Sequence, residues 1–180
     1  MAFTVETGAN VAGANSYVDV AYADAYHADM GNAAWALLAT PAKQTALMKA
    51  TQYIETKYSG LFKGQRTNTT QPLQWPRAFV IQYEERRNVG QQTFGYTEPY
   101  LASNLIPPKL KDAVCEAALK STTADLNPDL DRGGKVLSVK VGPIEQTFAP
   151  GAPAGTLWKL IDGLLGTLLQ NRNSVAIVRA

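Results

Sequence analysis

Two residues that could act as a nucleophile or a general base are Cys115 and His27, the single cysteine and the single histidine of this sequence. Cys115 falls within a predicted helix beside its apolar positions, which favours a small buried side chain over an activated thiolate. His27 could pair with an aspartate on its own helix, but an imidazole at the surface or at the edge of the core is the better interpretation. No pair of cysteines or histidines has the spacing of a metal site. We therefore expect that this protein binds no cofactor and is not an enzyme.

A different kind of chemistry is suggested by the segment from residue 62 to residue 87, which mixes cations with aromatic rings. These residues are Phe62, Lys63, Arg66, Trp75, Arg77, Phe79, Tyr83, Arg86 and Arg87. Proteins that bind single-stranded nucleic acid use the same mixture, because bases stack on rings while phosphates contact cations. A tryptophan beside a proline can also hold a loop on the core, with the neighbouring arginine stacked on the ring or paired with a carboxylate. We favour this structural role for Trp75 and keep base stacking as the alternative.

The charge distribution favours local contacts over a strong overall field. The formal net charge is +2, from 17 basic and 15 acidic side chains, which is weak support for a free-standing nucleic-acid binder. Residues 57–87 carry six basic and two acidic side chains, a net +4, whereas residues 1–56 carry two basic and five acidic ones, a net −3. Any contact with nucleic acid is therefore expected in the middle of the chain.

Composition and length predict one folded, soluble domain over residues 1–180. Apolar residues make up 46% of the sequence and charged residues 18%, unlike the composition of disordered chains. The longest apolar-rich stretch, residues 157–169, includes Lys159 and Asp162 and is shorter than the roughly 20 residues of a membrane helix. No membrane contact is expected, and the lone cysteine is typical of a reducing cytoplasm.

Apolar periodicity predicts a mainly α fold, a small bundle of four to five helices. Asp19 is suited to cap the first helix and Gly31 to end it. Thr40 followed by Pro41 predicts the cap and first residue of a longer helix. The predicted helices cover residues 19–30, 32–39, 41–58, 107–123 and 157–168.

Two segments between and before the helices are expected to be irregular. Residues 1–15 are rich in glycine, alanine and asparagine, which predicts a flexible arm. Residues 59–104 lose the helical period and are broken by glycines and prolines, which predicts a long irregular loop. A loop of this length in a compact domain is typical of a functional or partner-contacting segment.

The remaining segments have the alternating pattern of strands. Residues 136–141 and 144–148 predict a short β-hairpin or bent strand pair, with a bent or wide connection because proline suits few two-residue turns. Residues 171–180 predict an extended tail. Its apolar residues Val175, Ile177 and Val178 could add to an exposed sheet edge of another chain.

The run Gln71-Pro-Leu-Gln-Trp-Pro-Arg77 resembles a motif of a family of tailed-phage proteins. Members of that family are labelled DnaT-like single-stranded DNA-binding proteins, and they resemble head-tail connector adaptors, also called head-completion proteins. Further similar pieces follow in the same order nearly from end to end, which is more specific than any one motif. They are Gly13-Ala-Asn-Ser-Tyr-Val18, Ala50-Thr-Gln-Tyr-Ile-Glu55, Phe62-Lys-Gly64, Ile106-Pro-Pro108 and Val139-Lys-Val-Gly-Pro143.

The resemblance implies a structural subunit of the phage neck, made in the host bacterial cytoplasm and present in the virion. Such proteins are often dodecameric rings in which each subunit presents two different faces. The implied partners are other copies of the chain, the portal protein, tail or stopper proteins, and double-stranded DNA that passes through the channel without sequence preference. Candidate contacts with partners or with the channel DNA are Lys63, Arg66, Trp75, Pro76, Arg77, Arg86, Arg87, Val175, Ile177 and Val178. The alternative is a non-enzymatic single-stranded DNA-binding module in phage replication.

Overall fold

A computed structural model describes residues 2–81, 100–129, 138–147 and 156–170. Over these residues the chain is mainly helical, as predicted, with five α-helices and two short antiparallel strand pairs. The candidate contacts Arg86, Arg87, Val175, Ile177 and Val178 lie outside the described residues. In chain order the elements are α1 (Val20–Asp29), α2 (Ala33–Ala36), α3 (Thr40–Tyr58), a 3-10 helix (Ser59–Leu61), β1 (Gln65–Arg66), β2 (Arg77–Ala78), α4 (Pro108–Ser121), β3 (Ser138–Val141), β4 (Ile144–Thr147) and α5 (Lys159–Leu165).

The predicted capping residues mark both ends of α1. The Asp19 side chain accepts a hydrogen bond from the backbone N–H of Tyr22, at 2.7 Å, and Gly31 follows α1 with a φ of +69°. Thr40 is the first residue of α3 rather than its cap, which is Ala39. This small correction has a simple cause, since Pro41 fits anywhere in the first turn, where backbone N–H groups lack partners within the helix.

Helices α3 and α4 pack together at the centre, and α5 packs on α4. The apolar residues that recur at three- and four-residue steps along α3 and α4, the period that predicted these helices, are all buried. They are Ala46, Leu47, Ala50, Tyr53, Ile54, Tyr58, Leu110, Ala113, Val114, Ala117 and Ala118. The last helix is shorter than predicted, and Leu157 and Leu160 are each 54% exposed. Gly163 and Gly166 weaken the helix at its end, because glycine loses more backbone entropy than other residues.

Two tyrosine–carboxylate pairs join α1 to α4. The hydroxyl of Tyr22 donates to Asp112 at 2.8 Å, and that of Tyr26 donates to Glu116 at 3.0 Å. The tyrosines are four residues apart on α1, and so are the acids on α4, which places each set on one helix face. Because the residue with the higher number on α1 pairs with the residue with the higher number on α4, the two helices run in the same direction.

Alkaline pH is expected to unfold the protein. Burial, and then a neighbouring carboxylate, raises the pKa of Tyr17, Tyr22, Tyr26 and Tyr58 above the usual value of about 10. Above that pH the unfolded chain has lost protons that the folded chain keeps, so the free energy of unfolding falls as pH rises. Phenolate absorbance and circular dichroism, followed together, should therefore change in one cooperative transition above pH about 10.

The double variant Tyr22→Phe/Tyr26→Phe is the control for this alkaline transition. It removes two of the four linked protons, so its stability should fall less steeply with pH, although it is less stable at neutral pH. Tyrosines that ionise near pH 10 in a protein with unchanged circular dichroism would contradict the expected linkage.

Residues 4–16 form a folded turn in place of the expected flexible arm. Glu6 is 1% exposed, and its carboxylate accepts hydrogen bonds from the backbone N–H groups of Gly8, Asn10 and Val11 at 2.8, 3.0 and 2.9 Å. A buried carboxylate that collects three donors fixes the surrounding backbone. Glycine and asparagine here serve a tight turn and do not indicate flexibility.

The β3–β4 pair is a tight hairpin, so the prediction of a bent or wide connection is wrong. Val141 pairs with Ile144, which leaves only Gly142 and Pro143 in the turn. Gly142 has a φ of +60°. Glycine at the first turn position allows this positive φ, and the fixed negative φ of proline suits the second position of such a turn.

Candidate functional site

The segment from residue 62 to residue 81, here called the hairpin segment, is packed into the core. Strands β1 and β2 pair antiparallel, with Gln65 opposite Ala78 and Arg66 opposite Arg77. Phe62 is 1% exposed and Val80 2%. This part of the predicted irregular loop is therefore bound to the helices of its own chain.

Trp75 is fully buried in the hairpin segment. Its ring meets the ring of Phe62 edge to face, with centroids 5.9 Å apart and planes at 84°. Its backbone N–H donates to the hydroxyl of Tyr17 at 3.1 Å, and that hydroxyl donates to the Glu55 carboxylate. The peptide bond to Pro76, also buried, is cis. A ring with no exposed surface cannot stack on a base, so the structural role of Trp75 is the correct interpretation.

Arg77 holds two stretches of the hairpin segment together. Its guanidinium donates to the backbone carbonyls of Lys63 and Gly64, both at 2.7 Å, and of Phe62 at 3.4 Å. It also donates to the side-chain oxygen of Gln74 at 3.0 Å. Arg77 is 7% exposed. The charge is therefore committed to the fold and does not lie on a surface that could face DNA, contrary to the sequence-based hypothesis.

Gln71, the first residue of the same motif, is held in place by hydrogen bonds of its side-chain amide. The residue is 5% exposed, and its amide nitrogen donates to the carbonyls of Leu73 and Pro76 at 2.7 and 3.1 Å. Its amide oxygen accepts from the backbone N–H of Asn68 at 2.9 Å. A buried amide costs little when its polar atoms are paired in this way. The run from Gln71 to Arg77 is thus a folding element.

Glu55 anchors this element to α3. Its carboxylate accepts from the backbone N–H of Gln74 at 3.0 Å as well as from the hydroxyl of Tyr17. Burial raises the pKa of the Glu55 carboxyl. The three residues connect the chain before α1, helix α3 and the hairpin segment through one buried polar network.

Two predicted cations of the hairpin segment remain closer to the surface. Arg66 is exposed, and its guanidinium donates to the carbonyls of Thr69 and Gln71 at 2.9 and 3.3 Å. Lys63 is half-buried, and its ammonium group donates to the carbonyl of Thr167 at 2.7 Å. Both cations stabilise local backbone while leaving positive charge at this face.

The open surface of the hairpin segment carries a pair of aromatic rings. Phe79 is 60% exposed and Tyr100 44%, and their rings meet edge to face with centroids 5.8 Å apart. An isolated antiparallel bridge between Ile81 and Tyr100 brings the two parts of the chain together. Sequence reasoning included Phe79 but missed Tyr100, because no local pattern relates residues that are 21 positions apart.

The backbone at Phe79 is unusual for a large side chain. Its φ is +59°, in the left-handed region that bulky residues rarely adopt. Gly64 packs against this bend, and a Cβ at Gly64 would lie 2.2 Å from the carbonyl oxygen of Ala78. The neighbouring Val80 is buried while its carbonyl accepts from the N–H of Leu101 at 2.8 Å. These contacts hold the ring of Phe79 on the outside.

No acidic residue occurs in the parts of the sequence that carry this pair. Residues 56–83 contain no aspartate or glutamate, and neither do residues 99–111. The exposed residues of the hairpin segment are Gln65, Arg66, Thr67, Asn68, Thr69, Thr70, Pro72 and Phe79. Glu84, Glu85 and Glu98 lie between these two stretches, and with them residues 56–111 carry eight basic and three acidic side chains, a net +5. The exposed residues of the hairpin segment are rich in hydroxyl and amide groups.

The cysteine and the histidine are both buried in the fold. Cys115 is buried, as predicted, and burial raises the pKa of its thiol. His27 is 1% exposed, deeper than predicted, and burial lowers the pKa of its imidazole. It lines a cavity of about 400 Å³ with Asp24, whose carboxylate lies 2.9 Å from Lys43. Among the described ranges, no cluster of three or more His, Cys, Asp or Glu could hold a metal ion.

The described helices include no candidate for crossing a bilayer, since none combines sufficient length with sufficient apolar character. The fold and the surface together place the chain in a class of mainly helical proteins. Its motif from Gln71 to Arg77 holds the hairpin segment on the core, and the exposed aromatic pair of Phe79 and Tyr100 lies beside it.

The family model described as "Putative DnaT-like ssDNA binding protein" matches residues 1–180, and the chain belongs to this family. No curated protein and no solved structure matches the chain.

Proposed function

We propose that this chain is a structural subunit of the neck of a tailed bacteriophage. In this role it forms a homo-oligomeric ring between the portal protein and the tail or stopper components, with double-stranded DNA passing through the channel. It would be made in the host cytoplasm and end in the virion. The resemblance of the sequence to head-tail adaptors motivates the proposal, and one surface of the fold supports it.

That surface surrounds α2 and is here called the α2 surface. Its exposed residues are Ala28, Met30, Gly31, Ala33, Ala34, Ala36, Leu37, Ala39, Pro41 and Ala42. Leu37 is 87% exposed and Met30 58%. Among residues 28–42 only Asp29 and Thr40 add exposed polar side chains. Exposed apolar side chains grouped around one short helix are typical of a surface that contacts another protein.

A second apolar location lies on a different part of the fold. Leu157 and Leu160, each 54% exposed, stand at the start of α5, which packs on α4, whereas α2 packs on α1. A closed ring requires two different contact faces on each subunit. Two separate apolar locations supply what such a ring needs.

Mass photometry of the full-length protein, alone and mixed with its portal protein, tests the ring. A discrete higher oligomer is expected in at least one condition. The variant Leu37→Asp should weaken the assembly about 10- to 100-fold, because it places a charge at the centre of an apolar contact. The matched control is Gln52→Asp, which adds the same charge at an exposed position of α3 and should assemble normally.

A monomer in both conditions, together with absence of the protein from purified particles by mass spectrometry, would contradict the neck role. Equal assembly of the Leu37→Asp variant and the wild type would show that the α2 surface is not the contact.

A further inference from the structure

We infer that Phe79 and Tyr100 form a stacking site for the bases of a single-stranded nucleic acid. The site goes beyond the proposed ring and does not depend on it, since both rings belong to one chain. The family description indicates a ligand class but no residue. The geometry of the exposed surface indicates which residues form the site, namely Phe79 and Tyr100.

The ring pair has the exposure that base stacking requires. In an edge-to-face pair each ring covers only part of the other, and here the residues remain 60% and 44% exposed. The three tryptophans are less suitable, because Trp35 and Trp75 are at most 1% exposed and Trp158 is partly buried against the core. Phe79 and Tyr100 are therefore the open aromatic surface of the hairpin segment.

The conformation of Phe79 supports a binding role. A large residue with a φ of +59° raises the energy of the folded state. An exposed phenylalanine gains little from burial that would offset this cost. Residues in rare backbone conformations are enriched at ligand sites, where they present a side chain in a fixed direction.

The charges around the pair favour a polyanion as the ligand. Residues 56–111 carry eight basic side chains against the acids Glu84, Glu85 and Glu98, a net +5. Lys63 and Arg66 lie close in sequence to Gly64, which contacts the backbone of Phe79. Phosphates can meet these cations while bases meet the rings. A duplex fits less well, because its bases are stacked on each other and cannot reach a flat ring.

Fluorescence anisotropy with a labelled oligothymidylate of about 15 nucleotides tests the site at low salt. The variants Phe79→Ala and Tyr100→Ala should each weaken binding about 5- to 150-fold, the loss expected for one stacked base. Neither variant changes a charge, so the salt dependence of binding should keep the wild-type slope. Phe79→Asn is a second variant, because asparagine adopts positive φ readily and should fold at least as well.

Gln52→Ala is the matched control, since it removes an exposed side chain of α3 without changing a charge and should bind like the wild type. Photocross-linking to an oligonucleotide that contains 5-iodouracil should label Phe79 or Tyr100. The inference is overturned by absence of binding at low salt, by full affinity in both ring variants, or by equally tight binding of a duplex. Cross-links found only at other residues would overturn it as well. Because these measurements succeed or fail on the monomer, they are separate from the test of the ring.

Discussion

Replacing Arg77 with alanine is expected to destabilise the fold by about 3–5 kcal/mol, far more than most arginine substitutions. The guanidinium donates to the backbone carbonyls of Phe62, Lys63 and Gly64 and to the side chain of Gln74, while only 7% of the residue is exposed. Hydrogen bonds to a charged donor contribute about 1.5–3 kcal/mol each and are not additive. Without Arg77, several of these oxygens would be left in a buried site without a donor.

Urea unfolding followed by circular dichroism measures this loss, and Arg66→Ala is a close control. Arg66 lies opposite Arg77 in the β1–β2 pair but is exposed, so its loss should cost less than about 1 kcal/mol. If Arg77 instead served DNA or another subunit, Arg77→Ala would fold like the wild type and lose only binding. That result would contradict the structural role.

The helices could be predicted because their signals are local. Asp19 and Gly31 mark the ends of α1, and the apolar stripe of α3 is confirmed over its whole length. These features depend on side chains within a few residues of one another, so periodicity and capping rules are sufficient. The glycines of α5 are the exception, since they shorten a helix whose apolar pattern continues.

Irregular segments were harder to predict because buried polar side chains fix them. Glu6 organises a turn with a buried carboxylate, and Glu55 joins Tyr17 to the hairpin segment through side-chain contacts. Nothing in the local composition distinguishes a buried acid of this kind from a surface one. Tyr100 and Phe79 are likewise far apart in sequence, and the Ile81–Tyr100 bridge and the hydrogen bond from Leu101 to Val80 bring them together.

The mixture of rings and cations in residues 62–87 was informative, although its residues divide into two groups. Trp75 and Arg77 face inward, while Phe79 and Arg66 face outward. Composition cannot make this division, because both groups contain one aromatic ring and one cation. The order of exposed and buried residues depends on the β1–β2 pair and on the positive φ of Phe79.

Trp75→Ala should have an equally large effect, a loss of about 3–5 kcal/mol in the free energy of unfolding. The substitution removes a fully buried indole, and the cavity left beside Phe62 would be too large for the surrounding helices to fill. Urea unfolding again provides the measurement. Trp75→Phe, which keeps a ring in the same place, should recover a substantial part of the stability.

The comparison with Phe79→Ala separates the fold from the ligand site. Phe79 is 60% exposed, so its loss should leave the free energy of unfolding within about 1 kcal/mol of the wild type while weakening oligonucleotide binding. Trp75→Ala should show the reverse, with reduced stability but unchanged affinity wherever the variant remains folded. If a folded Trp75→Ala protein of normal stability no longer bound the oligonucleotide, Trp75 would be the residue that binds the ligand. That result would contradict both the buried position of Trp75 and the inferred stacking site.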